Sequence, residues 1–430
     1  MLYLHFTNLN FLTKNLQFNE LNLHENLLSG VDAMNYIQTS PIQELTIPII
    51  LAGKDLIASA QTGTGKTAAY LIPLLDQVIR LQSNQTSALV LVPTRELAKQ
   101  IDEQIEGFSY FINATSIAIY GGGKGEEWDQ QRKALVQGAD IIIATPGRLM
   151  AHMKSGEVKF DHIKCLVLDE ADKMLDMGFS DDILFVLKHL PAKRQNLMFS
   201  ATMPKKIKDF ANKILNNPEE VRLATSKPAV GIDQQFYLAN DMQKIPLLAH
   251  LLKNANAQSV IVFSSQKMMI DKIIRSLTKL KLDARGISSD NSQQERENVL
   301  RDFKNKQYKI LVATDVLSRG IDINNLSHVI NFDVPRDAED YIHRIGRTAR
   351  AETTGTAITF INEKDQYRIV NIEKLLEREV EKQSITESLG LGPAPEYKTA
   401  GSNSGFKKPS NNKNKAKKKF FRPANNTPGS

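Results

Sequence analysis

Short, continuously apolar runs recur along the chain at regular intervals. Six of them, at 55–60, 88–92, 116–120, 140–144, 165–168 and 196–199, fall in the first half, and four more, at 260–263, 309–313, 328–332 and 357–361, fall in the second. Each is followed by a stretch whose apolar residues return every three to four positions. Strands that are apolar at every position are buried on both faces, and their alternation with helices predicts parallel sheets covered on both sides. The two series are separated near 224–231, where Ala-Thr-Ser-Lys-Pro-Ala-Val-Gly has linker composition. The expected fold class is α/β. Two tandem domains, each a mostly parallel sheet flanked by helices, occupy 18–222 and 232–385 and are joined by 223–231. Residues 1–17 form an unassigned extension, and 386–430 read as a basic, low-complexity tail. Two α/β halves of similar size suit a duplicated fold.

Composition narrows this picture. With 430 residues, 41% of them hydrophobic, the chain can bury two full cores. A single Cys rules out an intramolecular disulfide framework and a cysteine-based zinc site. No apolar run approaches the ~18 residues a membrane span needs, so no membrane partner and a cytoplasmic location are expected. The formal net charge of +7 belongs to the tail. From 393 to 430 there are nine Lys and Arg against one acid, Glu396. That segment has too few apolar residues to offset the entropy of ordering and is expected to be disordered. Its interleaved Phe406, Phe420 and Phe421 suit a polyanion. The competing reading is a solubilising arm with no specific partner.

The chemistry begins after the first apolar run. Gln61-Thr62-Gly63-Thr64-Gly65-Lys66-Thr67 stands between a strand and a helix-like stretch, the context of a phosphate-binding loop. Its glycines let backbone N–H groups converge on phosphate oxygens, helped by the helix N-terminus. Lys66 would meet the β/γ-phosphates of a nucleotide, and the Thr67 hydroxyl would meet Mg²⁺. Ala60 occupies the usual first glycine position. The run 165–168 ends in Asp169-Glu170-Ala171-Asp172, which puts carboxylates at the carboxyl end of a buried strand, where open α/β sheets bind ligands. Asp169 is the candidate Mg²⁺ partner, and Glu170 the residue that orients water. Cys165 reads as core.

With Ala60–Thr67 and Asp169–Asp172 in one domain, the sequence resembles the DEAD-box RNA helicases of superfamily 2, and further matches extend from 18 to about 385. The resemblance implies two RecA-like domains, ATP and Mg²⁺ as cofactors, and RNA as partner. It assigns Gln43 to the adenine edge and Phe18 to stacking on the base, with Thr39 and Ser40 departing mildly from the usual Pro-Thr. It assigns RNA contact in the first domain to Pro93, Thr94, Arg95, Gly121, Gly122, Thr145, Pro146, Gly147 and Arg148. In the second domain it assigns RNA contact to Gln293, Arg296 and Thr314. Asp322 would meet the ATP ribose, and Arg347 and Arg350 would be arginine fingers on the γ-phosphoryl group. Asp172, Ser200, Thr202 and His343 would couple the cleft to the second domain. Ser318 and Ala349 replace a usual Ala and Gly. Ala349 is expected in helical geometry, since a positive φ there would misplace Arg350.

The resemblance further implies that ATP and RNA both close the two domains, so that they bind cooperatively and unwind short duplexes locally and non-processively. A compact core with a short basic tail looks most like the small bacterial RhlE-type members. Ribosomal or other RNP particles are candidate partners, with the tail as an auxiliary RNA tether. Two alternatives stay open: a clamp that binds ATP but turns over little, and a DNA translocase of the same superfamily.

Overall fold

The computed structural model describes residues 16–60, 63–81, 85–122, 125–156, 160–223, 231–255, 257–288, 290–314, 323, 326–348 and 355–397. The first sheet contains β1 (Leu56–Ser59), β2 (Ala88–Leu91), β3 (Ser116–Ile119), β4 (Ile141–Ala144), β5 (Cys165–Leu168), β6 (Gln195–Ser200) and β7 (Glu219–Arg222). Their order is β3-β4-β2-β5-β6-β1-β7, and every neighbouring pair is parallel. Every residue of β2, β4 and β5 is buried, as a strand covered on both faces requires. Alternate residues feed two core layers: Val90, Ile143 and Val167 point to one, Leu89, Ile142 and Leu166 to the other.

Helices α1 (Glu25–Ala33), α2 (Pro41–Leu51), α3 (Lys66–Leu81), α4 (Arg95–Phe108), α5 (Gly125–Gln137), α6 (Pro146–Lys154), α7 (Ala171–Asp176), α8 (Ser180–Lys188) and α9 (Lys205–Ile214) cover the sheet. The apolar pattern does not anticipate β7. It reads Glu-Glu-Val-Arg, only Val221 is buried, and an edge strand needs no second apolar face.

The second sheet contains β8 (Ile232–Leu238), β9 (Val260–Phe263), β10 (Ala284–Ile287), β11 (Ile310–Ala313), β12 (His328–Asn331), β13 (Gly355–Ile361) and β14 (Lys382–Gln383). It is again parallel throughout, in the order β10-β11-β9-β12-β13-β8-β14. Counted from β8, this is the strand order of the first sheet, so the two halves share one topology. Helices α10 (Lys244–Asn254), α11 (Lys267–Lys279) and α12 (Gln293–Lys304) follow β8, β9 and β10. Lys244, 1% exposed, heads α10 and places Nζ 2.8 Å from Asp333 just beyond β12. The other Asp333 oxygen accepts from Ser264 Oγ, Ser265 N and Ser265 Oγ at 2.9–3.1 Å.

The expected start of the tail at 386 is corrected. Residues 386–397 pack on the second domain, with Leu389, Leu391, Ala394 and Tyr397 against its cores. The Gln243 amide nitrogen lies within 3.1 Å of the carbonyls of Leu391, Gly392 and Pro393, and Gln366 Nε2 donates to Glu396 O. Polar, Pro-rich composition does not reveal this packing, because the buried amides bind backbone carbonyls that every residue carries. The extension up to residue 15, linker residues 224–230 and the chain from 398 lie outside the described residues. The domains meet directly, and Lys99 on α4 pairs with Glu297 on α12.

Candidate nucleotide and RNA site

The loop after β1 and the loops after β5 and β6 are neighbours because those three strands are adjacent in the sheet. Gly63 and Gly65 have φ of 84° and 91°, a region that favours glycine. Gly65 is constrained twice over, since a Cβ there would stand 2.5 Å from Gln43 Nε2. Gln43, 3% exposed, donates to Gly65 O at 3.1 Å and accepts from Ser40 N at 2.8 Å, while Ser40 Oγ donates to Thr64 O at 2.7 Å. The departure to Ser40 therefore keeps a hydroxyl that ties α2 to the phosphate loop. Lys66 heads α3, and its Nζ donates to Ala60 O. Burial pulls the Lys66 pKa down, against the carboxylates of Asp169, Glu170 and Asp172. Gln61 and Thr62 lie outside the described residues.

Asp169 is 2% exposed and held at both oxygens. Oδ1 accepts from Glu170 N and Oδ2 from Tyr70 OH, each at 2.8 Å. The Tyr70 hydroxyl also interacts with Thr67, so one buried phenol joins the two residues expected to face Mg²⁺. Sequence reasoning missed Tyr70, because an aromatic within an apolar helix reads as core. Burial and then the Glu170 charge push Asp169 up to about 6.

Glu170 is left-handed (φ 52°, ψ 47°), an uncommon conformation for a residue with a side chain. Its Oε1 takes the Lys173 ammonium at 2.6 Å, and its buried Oε2 has no hydrogen-bond partner. Asp172 Oδ2 accepts from Ala201 N, Thr202 N and Thr202 Oγ1 at 2.9–3.2 Å, and Ser200 Oγ donates to Thr202 O. Thr202 is thus a partner of Asp172, and Pro204 is the N-cap of α9.

Tyr36, Asn35 and Gln43 line an open recess of about 450 Å³ beside the phosphate loop. The Tyr36 ring is half-buried, and its hydroxyl accepts from Gln104 Nε2 at 3.1 Å. Phe18 does not present an open face. It is 3% exposed and stands edge-on behind Tyr36, with centroids 6.0 Å apart. The aromatic at the recess is Tyr36, which the sequence reading left out.

A second cluster lies at the ends of β2, β3 and β4. Thr94 caps α4 by accepting from Leu97 N, and Thr145 with Pro146 and Gly147 opens α6. These starts bring Arg95 and Arg148 to Gly121-Gly122. A Cβ on Gly122 (φ 101°) would fall 1.8 Å from Arg95 Nη1, and one on Gly121 would touch the Arg148 chain at 3.9 Å. Gly122 is therefore a bare floor under the Arg95 guanidinium, and the aliphatic part of the Arg148 side chain passes over Gly121. Pro93 is buried and supports the turn before Thr94.

In the second domain, Ser292 and Glu295 form a capping box that starts α12 at Gln293, with Arg296 in its first turn. Thr314 follows β11. The helix Ala338–Ile345 carries Arg344, which is 6% exposed and donates to Asn331 Oδ1 at 2.8 Å, so that arginine is structural. His343 faces the first domain. Burial, then the charges of Lys173 and Lys66, push it down to about 4. Arg347 lies just past that helix. Asp322, Ala349 and Arg350 lie outside the described residues.

The chain matches the DEAD/DEAH box helicase family over 40–210 and the helicase conserved C-terminal domain over 243–352. It is 41% identical over 366 residues to the DEAD-box ATP-dependent RNA helicase CshA of Geobacillus kaustophilus, covering 85% of this chain and 78% of that one. CshA of Listeria monocytogenes is likewise 41% identical, over 85% and 70% of the two chains. These relatives are CshA proteins, so the narrower likeness to the RhlE type gains no support from them. Among solved structures, S. cerevisiae Dbp5 bound to RNA and ADP BeF3 aligns with a TM-score of 0.75 at 31% identity, over 87% of this chain and 97% of that one. A DEAD box protein from Methanococcus jannaschii, 37% identical over 85% and 99%, gives 0.50. Family matches over both domains, and relatives aligned over most of their length, agree with the loops at the strand ends: the chain belongs to the DEAD-box ATP-dependent RNA helicase family.

Proposed function

We propose that this chain closes its two domains around ATP and single-stranded RNA and uses hydrolysis to reopen them, separating short duplexes locally. The observation that carries this reading is Glu170. It is backbone-strained, beside a carboxylate tied at both oxygens, and keeps one buried oxygen without a partner. Such an acceptor suits the water that attacks the γ-phosphoryl group. Tyr36 and Gln43 would receive the adenine, with Phe18 backing Tyr36. Gln43 has one N–H and one lone pair left for the base beyond its two internal bonds. Lys66 would leave Ala60 O for the phosphates. Arg347, with Arg350, would complete the site from the second domain, and Asp322 would meet the ribose.

Thr67 and Asp169 fit Mg²⁺, since a hydroxyl and a carboxylate share the Tyr70 phenol as an anchor. When bound, the ion would neutralise phosphate charge. Among the described residues no three His, Cys, Asp or Glu side chains converge as a metal site, so part of its shell would come from the phosphates. RNA backbone would run across Arg95, Arg148 and the glycine floor to Thr314, Gln293 and Arg296. Likeness to the RNA- and ADP BeF3-bound Dbp5 supports a closed arrangement as the working state.

The site of action would be the cytoplasm, with ribosomal or other RNP particles as targets. No described helix is long and apolar enough to cross a membrane. The basic tail would tether RNA. Truncation after Tyr397, which spares the packed segment, should lower RNA affinity and flatten its salt dependence while leaving saturated turnover intact.

The deciding experiment is steady-state ATPase with no nucleic acid, single-stranded RNA or matching DNA, alongside Glu170→Gln. RNA-selective stimulation lost in Glu170→Gln supports the helicase reading. Equal stimulation by DNA would make the chain a translocase, and RNA binding without turnover would make it a clamp.

A further inference from the structure

We propose that Gln131 and His152 form a positioning frame, walled by Trp128, that fixes the Arg148 guanidinium for contact with RNA phosphate. This rests on the reading in which Arg148 binds RNA. Arg148 and His152 are four apart on α6 and share one face, while Trp128 and Gln131 are three apart on α5. Gln131 is 7% exposed, and its carbonyl oxygen sits between the two: it accepts from Arg148 Nε at 2.8 Å and lies 3.2 Å from His152 Nε2. Its amide nitrogen donates to Tyr120 O at 3.0 Å, the residue before Gly121-Gly122. One buried side chain thus ties the arginine to the glycine floor.

His152 completes the frame. It is fully buried and stacks on Trp128 with centroids 3.7 Å apart and planes 15° from parallel. Facing an acceptor, Nε2 must carry the ring proton, which leaves Nδ1 bare, and Nδ1 is buried with no partner. The ring therefore stays neutral, as burial and the nearby Arg148 charge require. A cationic ring here would repel the guanidinium. Arg148 Cζ lies 4.5 Å from the Trp128 centroid, and its buried Nη2 has no partner within the protein. A guanidinium held on one edge and unsatisfied on another has already lost the rotamer freedom that RNA binding would otherwise cost.

The test uses the full chain and a fluorescent ten-nucleotide oligouridylate, with affinity measured across a salt series for wild type, Gln131→Met, Arg148→Ala and the double variant. Arg148→Ala is expected to weaken RNA binding by about tenfold or more. Gln131→Met keeps bulk but no acceptor. It should weaken binding several-fold and lower the slope of log affinity against log salt by ~0.7, the loss of one phosphate contact. The double variant should be no weaker than Arg148→Ala alone. Trp128 is the chain's single tryptophan, so its emission should shift on RNA addition in wild type, and before RNA in Gln131→Met. If Gln131→Met does not fold, His152→Phe keeps the stack, removes only the bond to Gln131, and should show the same non-additivity at smaller size. Wild-type affinity and slope in these variants, or losses that add in the double, would overturn the frame. Wild-type affinity in Arg148→Ala would instead remove the RNA reading beneath it.

Discussion

Gly122→Ala is the most direct way to ask whether the glycine floor serves RNA. Two costs are separable. An L side chain at φ 101° strains the backbone by about 1–2 kcal/mol. The new Cβ would also stand 1.8, 2.1 and 2.2 Å from three atoms of the Arg95 guanidinium. Ordinary contact is about 3.5 Å, so the group must retreat by roughly 1.5 Å, enough to break a hydrogen bond to phosphate. A bond to a charged partner is worth about 1.5–3 kcal/mol, which sets the expected loss at about 10- to 150-fold in RNA affinity. Gly53→Ala is the control. Its φ is also positive, at 71°, but a Cβ there meets nothing within 4 Å. The assay is RNA affinity by anisotropy, with thermal melts of both variants. Both should melt lower, and only Gly122→Ala should lose RNA. RNA affinity within twofold of wild type in Gly122→Ala would refute the floor.

Further outcomes follow from other contacts. Tyr70→Phe removes a buried donor to Asp169 without changing volume. It should cost about 2 kcal/mol and lower the first domain's melting temperature by about 4–8 °C, read by calorimetry. His152, pushed down to about 4 from an ordinary 6.5, binds its proton in the unfolded chain first. Its contribution to stability is therefore full above pH 6.5 and is lost by pH 4, at most about 3 kcal/mol. Asp169, pushed up to about 6, works in the opposite sense, so the observable is the difference between wild type and His152→Phe in denaturant titrations from pH 7 to 4. Gln243→Ala leaves the carbonyls of Leu391, Gly392 and Pro393 without their amide, and should expose 386–397 to limited proteolysis while sparing the second core.

Much of this architecture can be read from residue order. Val90, Ile143 and Val167 declare strands because a doubly covered sheet needs apolar residues on both faces. Gly63 and Gly65 declare a loop because their backbone angles exclude most side chains. What escapes the sequence has a common physical origin. Val221 alone cannot signal an edge strand, and β10, Ala-Arg-Gly-Ile, is similarly half-polar. Tyr70, Tyr36 and His152 occupy positions where a core aromatic would do, and only three-dimensional neighbours show a hydroxyl on Asp169, a ring beside Gln43, or an imidazole against Gln131. Phe18 shows the reverse: the right spacing placed it at the base, and packing placed it one layer behind.

The shared strand order has a consequence for stoichiometry. In the first domain, the loop after β1 leads to Lys66, which heads its helix near the acids beyond β5. In the second, the loop after β8 leads to Lys244, which heads its helix against Asp333 beyond β12. There the loop is closed on itself: Asn240 Oδ1 accepts from Met242 N and Gln243 N, and Gln243 Oε1 accepts from Asn240 N. Lysine and aspartate neutralise each other where a phosphate would have stood between them. One copy of the scaffold keeps its charges available and the other has spent them on itself, so a nucleotide titration of the whole chain should saturate at a single equivalent.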